Sequence, residues 1–163
     1  MARHNAVRDV LFRLMCDSDC FSSVQLEQVI PTASAAAAAP RLDITAQGPN
    51  GTRYALDIVV PNPASASGLS AGAASTSGVT ARLMEQAKRR KYPGAVITPF
   101  AVECFGLLGD SAIAFLRTMC RGLPLTRRGS YMSDLFQCVS AAIQRANAEL
   151  VFTSLSRSTL HHE

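Results

Sequence analysis

The 163-residue chain has no tryptophan, three histidines and only two lysines, set against 14 arginines. Without tryptophan, the strongest platform for stacking single-stranded bases is missing. No apolar run approaches the roughly 18 residues of a membrane span, so no membrane partner is expected. No glycine-rich phosphate loop and no Ser/His/Asp arrangement is present, which argues against P-loop nucleotide hydrolysis and serine-hydrolase chemistry. The five cysteines (Cys16, Cys20, Cys104, Cys120 and Cys138) are odd in number, widely spread and without a CxxC pair. That spacing excludes a zinc finger and gives no disulfide framework. Buried thiols in a reducing, intracellular compartment are expected. The first residues, MARHNAVRDVLF, carry charges inside their apolar stretch and lack a cleavage-site pattern, which argues against a signal peptide.

What is present suits one domain with a real core: 48% of residues are hydrophobic and 17% charged. The net charge of +4 is compatible with a nucleic-acid partner and equally with many ordinary enzymes. The arginine excess and abundant alanine read as a GC-rich coding bias. Against that background the two lysines, Lys88 and Lys91, stand out because both fall in one four-residue stretch.

Residues 4–15 place Val7, Val10, Leu11 and Leu14 at helical spacing and predict an amphipathic helix, broken by Asp17-Ser18-Asp19. Residues 24–30 predict a strand ended by Pro31, and the alanine-rich stretch 32–39 before Pro40 a loop. Runs 41–47 and 53–60 flank Gly48-Pro49-Asn50-Gly51, the clearest hairpin turn in the chain. In residues 62–78, 13 of 17 positions are Ala, Ser or Gly, predicting a flexible insertion. A helix over 79–92 follows, with Ser77 or Thr76 as cap and Pro93-Gly94 as stop. A strand over 95–104 interrupted by Pro99, a helix over 110–120 and a last helix over 130–151 complete the pattern, before a polar tail. The order α-β-β-β-α-β-α-α implies an α/β fold, a mixed sheet flanked by helices.

The hairpin brings chemistry with it. If Pro49, Asn50 and Gly51 form the loop, paired residue numbers sum to 100 and Asp43 lies opposite Asp57. Like charges so placed, with Cβ atoms about 4.5–5.5 Å apart, destabilise a sheet unless something neutralises them. Both aspartates also interrupt apolar strands, where an unpaired charge is costly. A divalent cation resolves both problems, because paired carboxylates are common Mg²⁺ ligands. The plainer reading is that each aspartate faces solvent on a half-exposed sheet. Glu85, Lys88 and Tyr92 share one face of the second helix. An amine beside two metal-binding carboxylates can orient a water or neutralise charge on a phosphate oxygen. The plainer alternative is an exposed Glu–Lys pair, worth a few tenths of a kcal/mol.

Asp43, then Asp57-Ile-Val-Val, then Glu85-x-x-Lys88-x-x-Lys91-Tyr92 resembles the PD-(D/E)xK nuclease superfamily. The likeness is closest to the restriction-like endonuclease domain of site-specific non-LTR retrotransposons and related mobile elements. It covers roughly residues 3–122, including the opening Arg3-His4-Asn5 and the segment Thr98-Pro-Phe-Ala-Val-Glu-Cys-Phe-Gly106. The resemblance implies a restriction-endonuclease-like αβββαβ core with extra C-terminal helices. It further implies a single nuclease domain over residues 1–152, with 153–163 a polar tail, and Mg²⁺ or Mn²⁺ held by Asp43 and Asp57. The superfamily's usual lysine stands two residues after the second acid, where this chain has Val59. In the retrotransposon group it comes from the following helix, a place matched by Lys88, with Lys91 as the fallback and Glu85 beside them in the catalytic set. Leu42 stands where the family carries proline. Glu27 is a further metal-ligand candidate.

The expected function is metal-dependent hydrolysis of DNA phosphodiester bonds, in the nucleus if the element is eukaryotic. Arg82, Arg89, Arg90, Arg127, Arg128 and His4 are the candidate DNA contacts, the arginines positioning phosphates without reading sequence. Two other readings stand beside it. One is a DNA-binding module that has lost cleavage, kept open by Val59. The other is an interaction domain whose aspartates are simply solvated. Glu103 reads as a strand-end residue.

Overall fold

In the computed structural model, residues 2–29, 41–93 and 95–159 are described. The alanine-rich stretch 32–39 with its flanking prolines, Gly94 and the end of the polar tail lie outside them. The order is α1 (Ala2–Cys16), β1 (Ser22–Val29), β2 (Arg41–Gln47), β3 (Arg53–Val59), α2 (Ala66–Ser70), α3 (Val79–Lys91), β4 (Thr98–Ala101), α4 (Asp110–Met119) and α5 (Leu125–Thr159). The four strands form one mixed sheet in the order β1-β2-β3-β4, antiparallel except for the parallel β3–β4 pair. This is the α/β architecture read from the sequence. Among the described residues no helix is long and apolar enough to cross a membrane.

Strand alternation divides the sheet into two chemically different faces. Ile44 and Ala46 of β2, Leu56 and Ile58 of β3, and Phe100 of β4 join a core with Val7, Leu11 and Met15 of α1, Phe115 and Leu116 of α4, and Leu135, Val139 and Ile143 of α5. Asp43, Thr45, Ala55 and Asp57 alternate onto the other face, beside which α3 lies against β4. Pro99 is accommodated because β4 ends the sheet, where a missing N–H costs no second ladder.

Several expectations need correction. Residues 62–78 contain a short helix, α2, capped by Ser65, whose hydroxyl accepts from Gly68 N at 3.2 Å. Local capping orders what composition alone described as an insertion. Helix α3 starts at Gly78 in the left-handed conformation, and neither Ser77 nor Thr76 caps it. Helix α5 runs 35 residues, from Leu125 through Gly129 to Thr159, so residues 153–159 belong to a helix and not to a loose tail. Of the cysteines only Cys104 and Cys120 are buried; Cys16 and Cys138 are exposed. Cys138 lies just off the inward stripe formed by Leu135, Val139, Ala142, Ile143 and Ala146.

Candidate active site

The turn geometry sets the site. Gly48 N donates to Thr52 O at 2.7 Å around a single 3₁₀ turn over Pro49–Gly51. From there the pairs Gln47↔Arg53, Ala46↔Tyr54, Thr45↔Ala55 and Ile44↔Leu56 keep the register whose numbers sum to 100. The paired ladder stops there, one step short of Asp43 and Asp57. There the side chain of Asp43 takes over from the ladder: its Oδ2 accepts from Ile58 N at 2.6 Å.

Asp43 Oδ1 accepts from His4 Nε2 at 3.0 Å, which ties the first turn of α1 to the hairpin. Burial pushes the Asp43 carboxyl up, but the His4 hydrogen bond, the Ile58 N–H and the charges of His4 and Lys88 outweigh it. The group is held below its ordinary value. Asp57 is 4% exposed, and its Oδ1 accepts from Lys88 Nζ at 2.6 Å. Its Oδ2 is buried with no protein hydrogen-bond partner, and the same holds for the hydroxyl of Tyr92. The phenol is pushed up to about 12, by burial first and then by the neighbouring Asp57 carboxylate.

Helix α3 turns Ala81, Glu85, Lys88 and Tyr92 inward. Lys88 reaches Asp57; Lys91 is exposed and its ammonium lies 5.0 Å over the Tyr92 ring. Glu85 is turned away from the aspartates. Its Oε1 accepts from Ser111 N at 3.0 Å and its Oε2 from Ser111 Oγ at 2.9 Å, so it caps the start of α4. A second buried carboxylate returns the favour: Glu103 Oε1 accepts from Thr80 Oγ1 and from Ala81 N at the start of α3. Together the two glutamates fix the rotation of α3 and hence the direction of Lys88. Neither pairing is visible in sequence, since the partners lie 26 and 22 residues apart.

This clasp makes a measurable prediction. Glu85→Ala removes two charge-assisted bonds and will cost roughly 2–4 kcal/mol. Gly109→Ala will also destabilise, by roughly 1–3 kcal/mol, because a Cβ there would stand 2.2 Å from Glu85 Oε1. Urea denaturation checks both; a loss under about 0.5 kcal/mol for Glu85→Ala would show that the clasp bears no weight.

The other predicted residues are dispersed. Glu27 is exposed, paired with Arg8 at 2.7 Å and with Arg41, and does not join the two aspartates. Arg82 and Arg90 are exposed on α3, and Arg89 is bonded to Ser111. Arg128 donates to the carbonyls of Leu123 and Arg121, and Arg127 is exposed beside it. Arg3 of α1 meets Asn147 of α5, so Arg127 and Arg128 lie about 28–30 Å along the α5 axis from that contact near His4.

Among the described residues no three His, Cys, Asp or Glu side chains gather as a ligand set, which excludes a closed zinc centre there. Two carboxylates with a buried, unpartnered oxygen do fit Mg²⁺ or Mn²⁺, since Mg²⁺ keeps several waters and takes one or two carboxylates. Compared with protein-family models and with curated proteins, the chain matches none.

Proposed function

We propose that this chain is a metal-dependent DNA endonuclease domain of the PD-(D/E)xK type, related to those of mobile elements. The observation that carries the reading is the reach of Lys88 from α3 to Asp57, at 2.6 Å. The position two residues after Asp57 is Val59, and Lys88 offers the amine that this position lacks. That geometry supports the cleaving reading over a DNA-binding module with cleavage lost, which rested on Val59.

Asp43 and Asp57 would hold Mg²⁺ or Mn²⁺, and the bound cation would supply a polarised phosphoryl oxygen and an activated water. The chain's own groups divide the remaining work. The Ile58 N–H and His4 hold the Asp43 carboxylate in place, so little ordering is left to pay on ligand binding. Lys88, about a fifth exposed, holds its positive charge beside Asp57 where a phosphate oxygen gains charge. Arg82 and Arg90, exposed on the same helix, add phosphate contacts that carry no sequence information. The test is relaxation of supercoiled plasmid by the purified chain. Nicked or linear product is expected with Mg²⁺ or Mn²⁺ and none with EDTA; product formation unaffected by EDTA refutes the reading.

A further inference from the structure

Two buried polar atoms beside the site are left over by everything above: Asp57 Oδ2 and the Tyr92 hydroxyl. A hydroxyl buried without a partner costs on the order of 1–3 kcal/mol, and phenylalanine would fill the same space without that cost. The ring is not loosely held. Tyr92 is 5% exposed, ends α3 directly after Lys91, and is covered on one face by the Lys91 ammonium. So the oxygen is retained at a defined place, within interaction range of the Asp57 carboxylate, whose buried Oδ2 also lacks a partner.

We propose that Tyr92 is a positioning residue for Asp57, its hydroxyl donating to Oδ2 when a divalent cation is bound. The inference rests on the nuclease reading and deepens it. An ionised carboxylate offers about four lone-pair positions. Lys88 uses one on Oδ1, a phenol on Oδ2 uses another, and two remain for the cation. Held at both oxygens, Asp57 cannot rotate about its side-chain torsion. Removing such an outer partner of a metal ligand typically lowers metal affinity 10–100-fold. The phenol is a donor across the working pH range, because an ordinary phenol ionises only at about pH 10. Lys91 enters the same arrangement indirectly, by packing on the ring and not by touching an aspartate.

The experiment is Tyr92→Phe in the full chain, read by Mn²⁺ titration calorimetry, thermal melting and Tb³⁺ luminescence. In the absence of tryptophan, excitation beyond the phenylalanine absorption band leaves tyrosine as the aromatic sensitiser of Tb³⁺, and the chain has three tyrosines. Tyr54 packs with Phe21 and Phe115 in the core, so it serves as the control. The expected result is a Mn²⁺ affinity at least about tenfold weaker, with no fall in Tm. Sensitised emission at saturating Tb³⁺ should be lost in Tyr92→Phe and kept in Tyr54→Phe. A Mn²⁺ affinity equal to wild type overturns the role of Tyr92 and leaves the nuclease reading standing. A melting point lowered by several degrees marks the hydroxyl as structural and also overturns it. A wild-type chain that binds neither Mn²⁺ nor Tb³⁺ overturns both.

Discussion

Asp57→Asn will lower metal-dependent plasmid cleavage by about 10³-fold or more while leaving DNA binding in EDTA unchanged or tighter. The size follows from the part a metal ligand plays. Lewis-acid stabilisation is worth several kcal/mol at the transition state, and each 1.36 kcal/mol is tenfold in rate. The direction of the stability change is the opposite of a structural residue's. Asparagine keeps an oxygen for the Lys88 ammonium and removes the charge of a 4%-exposed carboxylate whose Oδ2 has no partner. A Tm equal to or above wild type is therefore expected, as when a site strained for function is neutralised. Asp43→Asn will also abolish cleavage but will cost stability. Its carboxylate accepts from both His4 and Ile58 N, and an amide has only one oxygen to offer. Plasmid nicking and an electrophoretic mobility shift on the same preparations separate catalysis from binding. Undiminished cleavage by either variant would sink the assignment.

Lys88→Met will reduce cleavage by roughly 10²–10⁴-fold, whereas Lys91→Met will reduce it less than about tenfold. Both substitutions keep an unbranched stem and remove the charge, so the contrast isolates the ammonium that meets Asp57. Lys88→Met also leaves a 4%-exposed carboxylate without its donor. Breaking a fully buried pair costs about 3–5 kcal/mol; because Lys88 keeps about a fifth of its side chain in solvent, roughly 1–3 kcal/mol is expected here. Arginine will not restore the rate, since its planar fork cannot occupy the same point as a compact ammonium. Single-turnover cleavage beside urea denaturation gives both numbers for each variant. If Lys91→Met proves the more damaging of the two, the working lysine is the one over the tyrosine ring.

Features set by neighbouring residues were legible in the sequence. The three-residue turn at Pro49–Gly51 fixes the hairpin register as far as Ile44↔Leu56, and Asp43 and Asp57 follow at its open end. Helical spacing likewise put Glu85, Lys88 and Tyr92 on one face. The partners on that face were not legible, because they are chosen by the fold: Ser111 for Glu85, Asp57 for Lys88. His4, read from the sequence as a DNA contact, also holds Asp43, a contact spanning 39 residues that no local pattern encodes. The length of α5 was underestimated for a different reason. Gly129 reads as a breaker, yet Pro124 just before Leu125 is the stronger start signal, and the packed face further along carries the glycine.

The two glutamate caps have a consequence for how this chain can change. Because Glu103 anchors the beginning of α3 and Glu85 locks its middle to α4, Lys88 is addressed through space and not through the stretch of chain leading to it. The small residues between Asp57 and α3 can lengthen or shorten without re-aiming the amine. On the proposed reading, the strand position at Val59 is thereby released from chemistry and left to packing.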